Sequence, residues 1–277
     1  MEIFISVDME GISGIVGRDE TLRESPRFES SCRLMTLDIN AAVEGAVEGG
    51  ATSFIVSDSH GVMRNVLQDE LNPNTTLVRG WPRPLSQLEG ISEDVAGAFF
   101  LGYHAKRGAK GALMDHTIDS RVIREVRLNG EAVGEIGINA MVCGHFNVPV
   151  ALVSGDLAAT LEAQSLLGNV ETVSVKEAVG RYSARCTHPK EARRMIREAA
   201  GSAVRRLGEF VPLRPRKPVM LEVDLVDTGM ADMVELVPKA ERIAGCTIRY
   251  ESHDYLELYG ALRALISLSR EILFEKL

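Results

Sequence analysis

Ile3-Phe4-Ile5-Ser6-Val7-Asp8-Met9-Glu10 decides how this chain is read. The first five residues form a short, apolar, β-rich run that fits a buried strand. The run ends at once in two acids. Asp8 and Glu10 are two apart, so while the chain stays extended both side chains leave from the same face. The pattern recurs further on. Thr52-Ser53-Phe54-Ile55-Val56 runs into Asp58-Ser59-His60, and Ala98-Phe99-Phe100-Leu101 runs into Gly102-Tyr103-His104. Thr75 to Arg79 and Val148 to Val153 supply two more strands. Helical patterns cover Ser31 to Val47, closed by Gly49-Gly50, then Glu135 to Phe146 and Asp156 to Leu167. Val122 to Leu128 and Glu131 to Val133 flank Asn129-Gly130, a pair suited to the type I′ turn of a hairpin. Strands alternating with helices predict an α/β fold with a mostly parallel sheet and covering helices. In such sheets ligands bind at the carboxyl edge of the strands.

The second half changes character. Pro189 to Leu207 reads as a long basic helix with proline in its first turn. Pro212, Pro215 and Pro218 punctuate residues 211–218, the best linker candidate. Strand (Val219 to Leu225), helix (Asp232 to Leu236), strand (Cys246 to Ser252) and helix (Asp254 to Leu273) follow. The expected organisation is therefore a catalytic α/β domain over 1–180 and a smaller α/β domain over 181–277.

Composition bounds the function. With 277 residues, 45% hydrophobic and 25% charged, the chain can bury a full core without disulfide or metal staples, and disorder is excluded. Its longest apolar run, Val95 to Tyr103, is nine residues, far below the roughly 20 that a membrane helix needs. Met1-Glu2-Ile3-Phe4 lacks the basic flank of a signal peptide. The four cysteines are widely spaced with no C-x-x-C, which fits free thiols in a reducing cytoplasm. Net charge is −8, yet Arg181 to Lys217 holds 11 Lys/Arg against 3 Asp/Glu, so +8 there and −16 elsewhere. A solvated helix face or a contact with an acidic subunit accounts for that segment. Nucleic acid is not expected, because only Tyr182 and Phe210 could stack within it and the whole chain is acidic.

The acids and histidines carry the chemistry. Taken singly, each has a bland reading: Asp-x-Glu after a strand as a cap or turn, a strand-end histidine as a satisfied polar residue. At three strand ends of one sheet they converge. Asp8, Glu10, His60 and His104 then form an Asp/Glu/His set suited to Zn²⁺ or Mn²⁺, with Glu135, at the start of its helix, as the fifth ligand. Three carboxylates carry −3, which two divalent ions and one bridging hydroxide neutralise, so the site avoids a large Born penalty in a low-dielectric cleft. His116, beyond a Gly/Lys-rich loop, is either an exposed loop histidine or a general acid, general base or nucleophile beside the metals. Asn139 shares the helix face of Glu135, which suits a supporting or substrate-facing role. Asp58 is expected to orient His60 or its loop rather than bind metal. His145, His188 and His253 read as structural. Gly11, Gly14 and Gly17 match neither the dinucleotide fingerprint nor a Walker loop, and no G-x-S-x-G elbow exists.

Ser6-Val7-Asp8-Met9-Glu10-Gly11-Ile12-Ser13-Gly14, Ser57-Asp58-Ser59-His60, Leu101-Gly102-Tyr103-His104-Ala105 and Gly134-Glu135-Ile136-Gly137-Ile138-Asn139-Ala140 together resemble the DppA-type D-aminopeptidases, a family of binuclear zinc peptidases. The resemblance spans the chain in element order, with its specific motifs in the first 145 residues. It implies two zinc ions per subunit, with manganese or cobalt as substitutes. Asp8 would bridge them, with Glu10 and His60 on one ion and His104 and Glu135 on the other. His116 would be the catalytic histidine. The resemblance also implies short peptides or amino-acid amides with an N-terminal D-residue as substrates, and a homodecamer of two stacked pentameric rings enclosing the sites. The rivals are a two-metal phosphoesterase, since the same ions clamp phosphoryl oxygens, and a metal-binding protein without catalysis.

Overall fold

The structure, a computed structural model, describes residues 1–273. Two sheets organise it. The larger has the strand order β3-β2-β1-β4-β7-β8-β9. Its members are β1 (Glu2–Val7), β2 (Ser53–Asp58), β3 (Thr75–Val78), β4 (Gly97–Tyr103), β7 (Val150–Asp156), β8 (Glu171–Gly180) and β9 (Ser183–Cys186). Every pairing is parallel except β8 with β9. The smaller sheet, β11-β12-β10-β5-β6, is wholly antiparallel. It is built from β5 (Ile123–Leu128), β6 (Glu131–Ala132), β10 (Val219–Leu225), β11 (Glu241–Ala244) and β12 (Thr247–Ser252).

Alternation along β1 divides the core. Ile3, Ile5 and Val7 pack with α1 (Phe28–Gly49) and α4 (Pro189–Arg205) on one face. Phe4 points the other way, into a second core shared by α2 (Glu135–His145), α6 (Tyr255–Glu271) and the smaller sheet. The remaining helices are α3 (Leu157–Leu167), capped by the Asp156 side chain on Ala159 N, and α5 (Thr228–Val234). None of the helices among the described residues is long and apolar enough to cross a membrane.

β1 lies between β2 and β4, all parallel, and this places Asp8, Asp58-Ser59-His60 and His104 at one edge. The loops there touch backbone to backbone. Gly11 N donates to Gly102 O at 2.7 Å, and Asp8 N to Leu101 O at 2.8 Å. A Cβ on Gly11 would sit 2.1 Å from Tyr103 O, and one on Gly102 (φ +68°) 2.2 Å from Asp8 O. Only glycine permits this approach.

Several expectations need correction. β8, β9 and β11 lie where the sequence pattern predicts no strand. The short helix expected at 232–236 runs instead from Thr228 to Val234, because Asp227 caps it by accepting from Gly229 N. The +8 of the basic segment is partly neutralised by acids outside it: Arg197 pairs with Glu44 and Glu48 of α1, Arg206 with Glu171, and Arg181 with Asp115. The larger sheet runs past residue 180 into β9, and the smaller sheet takes β5 and β6 from before it. The hairpin β5–β6, with Asn129 and Gly130 both at positive φ, joins β10 in the smaller sheet, and α4 packs across 180 onto α1.

This crossing generates a prediction. A fragment of residues 1–180 leaves Val126 and Leu128 without their β10 partners Val223 and Leu221, and uncovers the α4 face of α1. It is expected to show no cooperative urea transition by circular dichroism, whereas the full chain unfolds cooperatively. A sharp, native-like transition in the fragment would show that residues 1–180 fold on their own.

Candidate metal centre

The strand-end loops bring Asp8, Glu10, His60, His104, His116 and Glu135 into one cluster. Asp8, Glu10, His104 and Glu135 are all more than nine-tenths buried. Buried carboxylates this close repel one another, so the positive ends set against them define the site. Asp8 presents one oxygen to each side: Oδ1 is 3.2 Å from His60 Nδ1, and Oδ2 is 3.4 Å from His104 Nε2. Glu10 Oε2 is 3.0 Å from His60 Nδ1, and Glu135 Oε1 is 3.2 Å from His104 Nε2.

Each imidazole has one nitrogen committed to a backbone carbonyl, which can only accept. His60 Nε2 donates to Thr21 O at 3.0 Å, His104 Nδ1 to Ala105 O at 3.0 Å, and His116 Nδ1 to Met114 O at 2.9 Å. The tautomers are thereby fixed, and the opposite nitrogens face the carboxylates. Around His60 three acceptors surround two nitrogens, so the ring must carry a second proton or share a cation with the acids. Burial opposes charge on His60, yet Glu10 and Asp8 raise its pKa well above the usual value. The same attraction overcomes burial to hold Glu10 well below the carboxylate range, and His104 does likewise for Glu135. His104 Nε2, fully buried, has no hydrogen-bond partner even though two carboxylate oxygens lie within 3.4 Å. Burial opposes charge on His104, yet Glu135 and Asp8 raise its pKa well above the usual value. With that proton gone, Nε2 would aim a lone pair between two carboxylates, a place that fits a divalent cation. Asp8, Glu10 and His104 form one potential ligand group, and His104, His116 and Glu135 another.

The remaining predicted residues support these. Asp58 binds no other member of the cluster directly. Its carboxylate accepts from Asn65 N at 2.5 Å, Val66 N at 2.9 Å and Asn65 Nδ2 at 2.7 Å, while Asn65 also donates to His60 O. Asn139 donates to Gln87 Oε1 at 2.7 Å and Tyr103 OH at 3.0 Å. Gln87 in turn donates to Glu135 Oε2 at 2.6 Å, and Ile118 N to Glu135 Oε1 at 2.7 Å. Glu135 also starts α2, where the helix dipole favours an anion. His116 stacks on His104 with ring centroids 4.0 Å apart, and its Nε2 lies 3.8 Å from Glu135 Oε1. Of the histidines read as structural, His188 caps α4 and His145 lies 3.8 Å from Asp254, both away from the cluster.

Three functional supports escaped the sequence. Gln87 sits in a one-turn 3₁₀ helix with no local signal. Lys176, on β8, is buried with its Nζ donating to Glu10 O, Ile12 O and Ile15 O at 2.5–2.8 Å, and burial pulls its pKa down to about 8. It clamps the loop after Asp8, and the alternation Thr172-Val173-Ser174-Val175 could have marked its strand. Arg181 clamps the His116 loop through Asp115 Oδ1 and Asp115 O, both at 2.6 Å.

Residues 1–264 match the peptidase family described as D-aminopeptidase. A D-aminopeptidase of Bacillus subtilis (strain 168) is 35% identical over 277 residues, covering 99% of this chain and all of that one. Among solved structures, the Zn-dependent D-aminopeptidase DppA from Bacillus subtilis, a self-compartmentalizing protease, aligns with TM-score 0.94 and 32% identity over 98% of both chains.

The Gln87 bridge generates a prediction. Gln87→Leu removes the donor to Glu135 at similar volume, and should weaken metal affinity by roughly 10–100-fold, as loss of ligand-orienting partners generally does. Competition against a chromogenic chelator measures it. Unchanged affinity would mean that Ile118 N and the α2 terminus orient Glu135 unaided.

Proposed function

The chain belongs to the D-aminopeptidase family, and from that premise we propose how its site cleaves peptides. It is a metal-dependent aminopeptidase, a hydrolase of peptide bonds. The observation that carries the detailed reading is Asp8, whose two oxygens face separate histidines, each paired with its own glutamate. That arrangement supports two zinc ions per subunit: Glu10 and His60 on one, His104 and Glu135 on the other, Asp8 between, with manganese or cobalt as substitutes. When bound, such ions supply Lewis acidity to a carbonyl and lower the pKa of a coordinated water.

The protein's part is orientation and proton transfer. The carbonyls of Thr21 and Ala105 hold His60 and His104 in the tautomers that ligation requires. His116 keeps Nδ1–H on Met114 O, so its Nε2 lone pair faces the cleft, placed to take a proton from the attacking group and return it to the leaving amine. The same lone pair is competent to attack the carbonyl itself. The substrates we infer are short peptides or amino-acid amides with an N-terminal D-residue.

His116→Ala should retain metal near two ions per subunit while turnover of amino-acid p-nitroanilides falls about 10²–10⁴-fold. Asp8→Ala should lose both metal and activity. Elemental analysis beside the assay separates the two. Full activity in His116→Ala would remove its role, and p-nitrophenyl phosphate cleavage without amide cleavage would favour the phosphoesterase.

We also infer self-assembly, in which closed rings limit access to the site. With the basic segment partly neutralised within the chain, the support in this chain is apolar: Val179, Tyr182, Val211 and Leu236 are each more than half exposed. A cytoplasmic location is consistent with four free cysteines. Light scattering at physiological salt should give about 300 kDa, a decamer of 30.2 kDa chains in two pentameric rings. A fully active 30 kDa monomer would remove the ring.

A further inference from the structure

Two cavities open on the carboxylate cluster, one of about 490 Å³ and one of about 190 Å³. Glu10, His60 and His116 line both, and so does one residue from the far end of the chain, Arg270. Arg270 belongs to α6, which turns a single stripe (Tyr259, Arg263, Ile266, Ser267, Arg270) toward the smaller cavity. The spacing of four, three, one and three residues keeps these side chains on one helix face. The helix therefore forms a wall of the cleft.

Arg270 is anchored rather than loose. Its Nε donates to Asp119 Oδ2 at 2.7 Å, and Asp119 is itself buried. Arg121 grips the same carboxylate through Nε to Oδ1 at 2.9 Å and Nη2 to Oδ2 at 2.8 Å. Two guanidiniums on one carboxylate leave a positive charge in excess. No described residue meets either Nη of Arg270. A guanidinium fixed through Nε with both Nη groups open offers the planar fork that matches a carboxylate. The wider field agrees. Apart from Glu10, the larger cavity is lined by Arg18, Arg23, Arg121, Arg181 and Arg270 against Glu24 and Asp119, and with Asp115 behind Arg181 counted the balance is still positive. Such an excess attracts anions into the cleft.

We propose that Arg270 binds the C-terminal carboxylate of the substrate, so that the enzyme selects short peptides with a free C-terminus. The proposal rests on the aminopeptidase reading. With the N-terminal residue at the metal cluster, the one anion every peptide substrate carries is that carboxylate, and only a short peptide brings it within the same cleft. Arg270 acts as a binding residue and Asp119 as its positioning residue.

The test compares D- and L-alanyl-alanine, each as free acid and as C-terminal carboxamide, on metal-loaded enzyme. The wild type should favour the acid by about ten- to hundredfold in kcat/KM, mostly through KM, as expected for hydrogen bonds to a charged group. Arg270→Gln should bring the acid-to-amide ratio close to one, Arg270→Lys should keep part of it, and Asp119→Asn should reduce it by a smaller factor. Equal cleavage of acid and amide by the wild type overturns the proposal. So does a ratio that survives Arg270→Gln, or a loss that falls equally on both substrates. If no peptide is cleaved in either form, the aminopeptidase reading fails instead.

Discussion

Burial of Asp8, Glu10 and Glu135 beside one another is the constraint on which the rest of the site depends. Unpaired charges in a low-dielectric interior are expensive, and three of one sign are worse. Each carboxylate is accordingly compensated: Asp8 and Glu10 by His60, Glu135 by His104, Gln87, the Ile118 N–H and the start of α2. The compensation stays incomplete at His104 Nε2, which faces two acids without a hydrogen bond. A cation completes the electrostatics in a way that rearranged side chains cannot, because the carbonyls of Thr21, Ala105 and Met114 fix the rings.

How much of this was legible follows from where the information lies. The central strands were readable because a strand buried on both faces is a continuous apolar run. The cluster was readable because parallel pairing puts all strand ends on one edge, so Asp8, His60 and His104 could be grouped without knowing a single distance. Strands at or near a sheet edge were harder. β8 is partly exposed and β11 has four residues, so neither carries the apolar run of β1. Lys176 was illegible for another reason: an ammonium held by three carbonyls looks, in sequence, like any surface lysine. Gln87 and Arg270 reach the cluster only through tertiary packing, to which no local pattern corresponds.

The two sheets divide the labour. The larger sheet supplies Asp8, His60 and His104 from its strand ends. α6, which packs against the antiparallel sheet, supplies a wall of the cleft, with Arg263 and Arg270 on it. Loops that carry function on a rigid scaffold are the usual arrangement; here the helix α6 takes part as well.

The chain path explains why these parts cannot be separated. Between the ligands His104 and Glu135 the chain leaves the parallel sheet, passes His116 and Asp119, forms β5–β6, and returns to start α2. That one excursion delivers His116 to the cluster and the anchor for Arg270, and lays down the strand against which β10 pairs. Its entry is tied by Arg181 to Asp115, and its exit by Lys106 Nζ to Ala132 O. Because Glu135 also accepts from Ile118 N, a shift of the excursion would move a ligand and His116 together. Metal binding, proton transfer and the cleft wall are thus coupled through some thirty residues that belong to neither sheet alone.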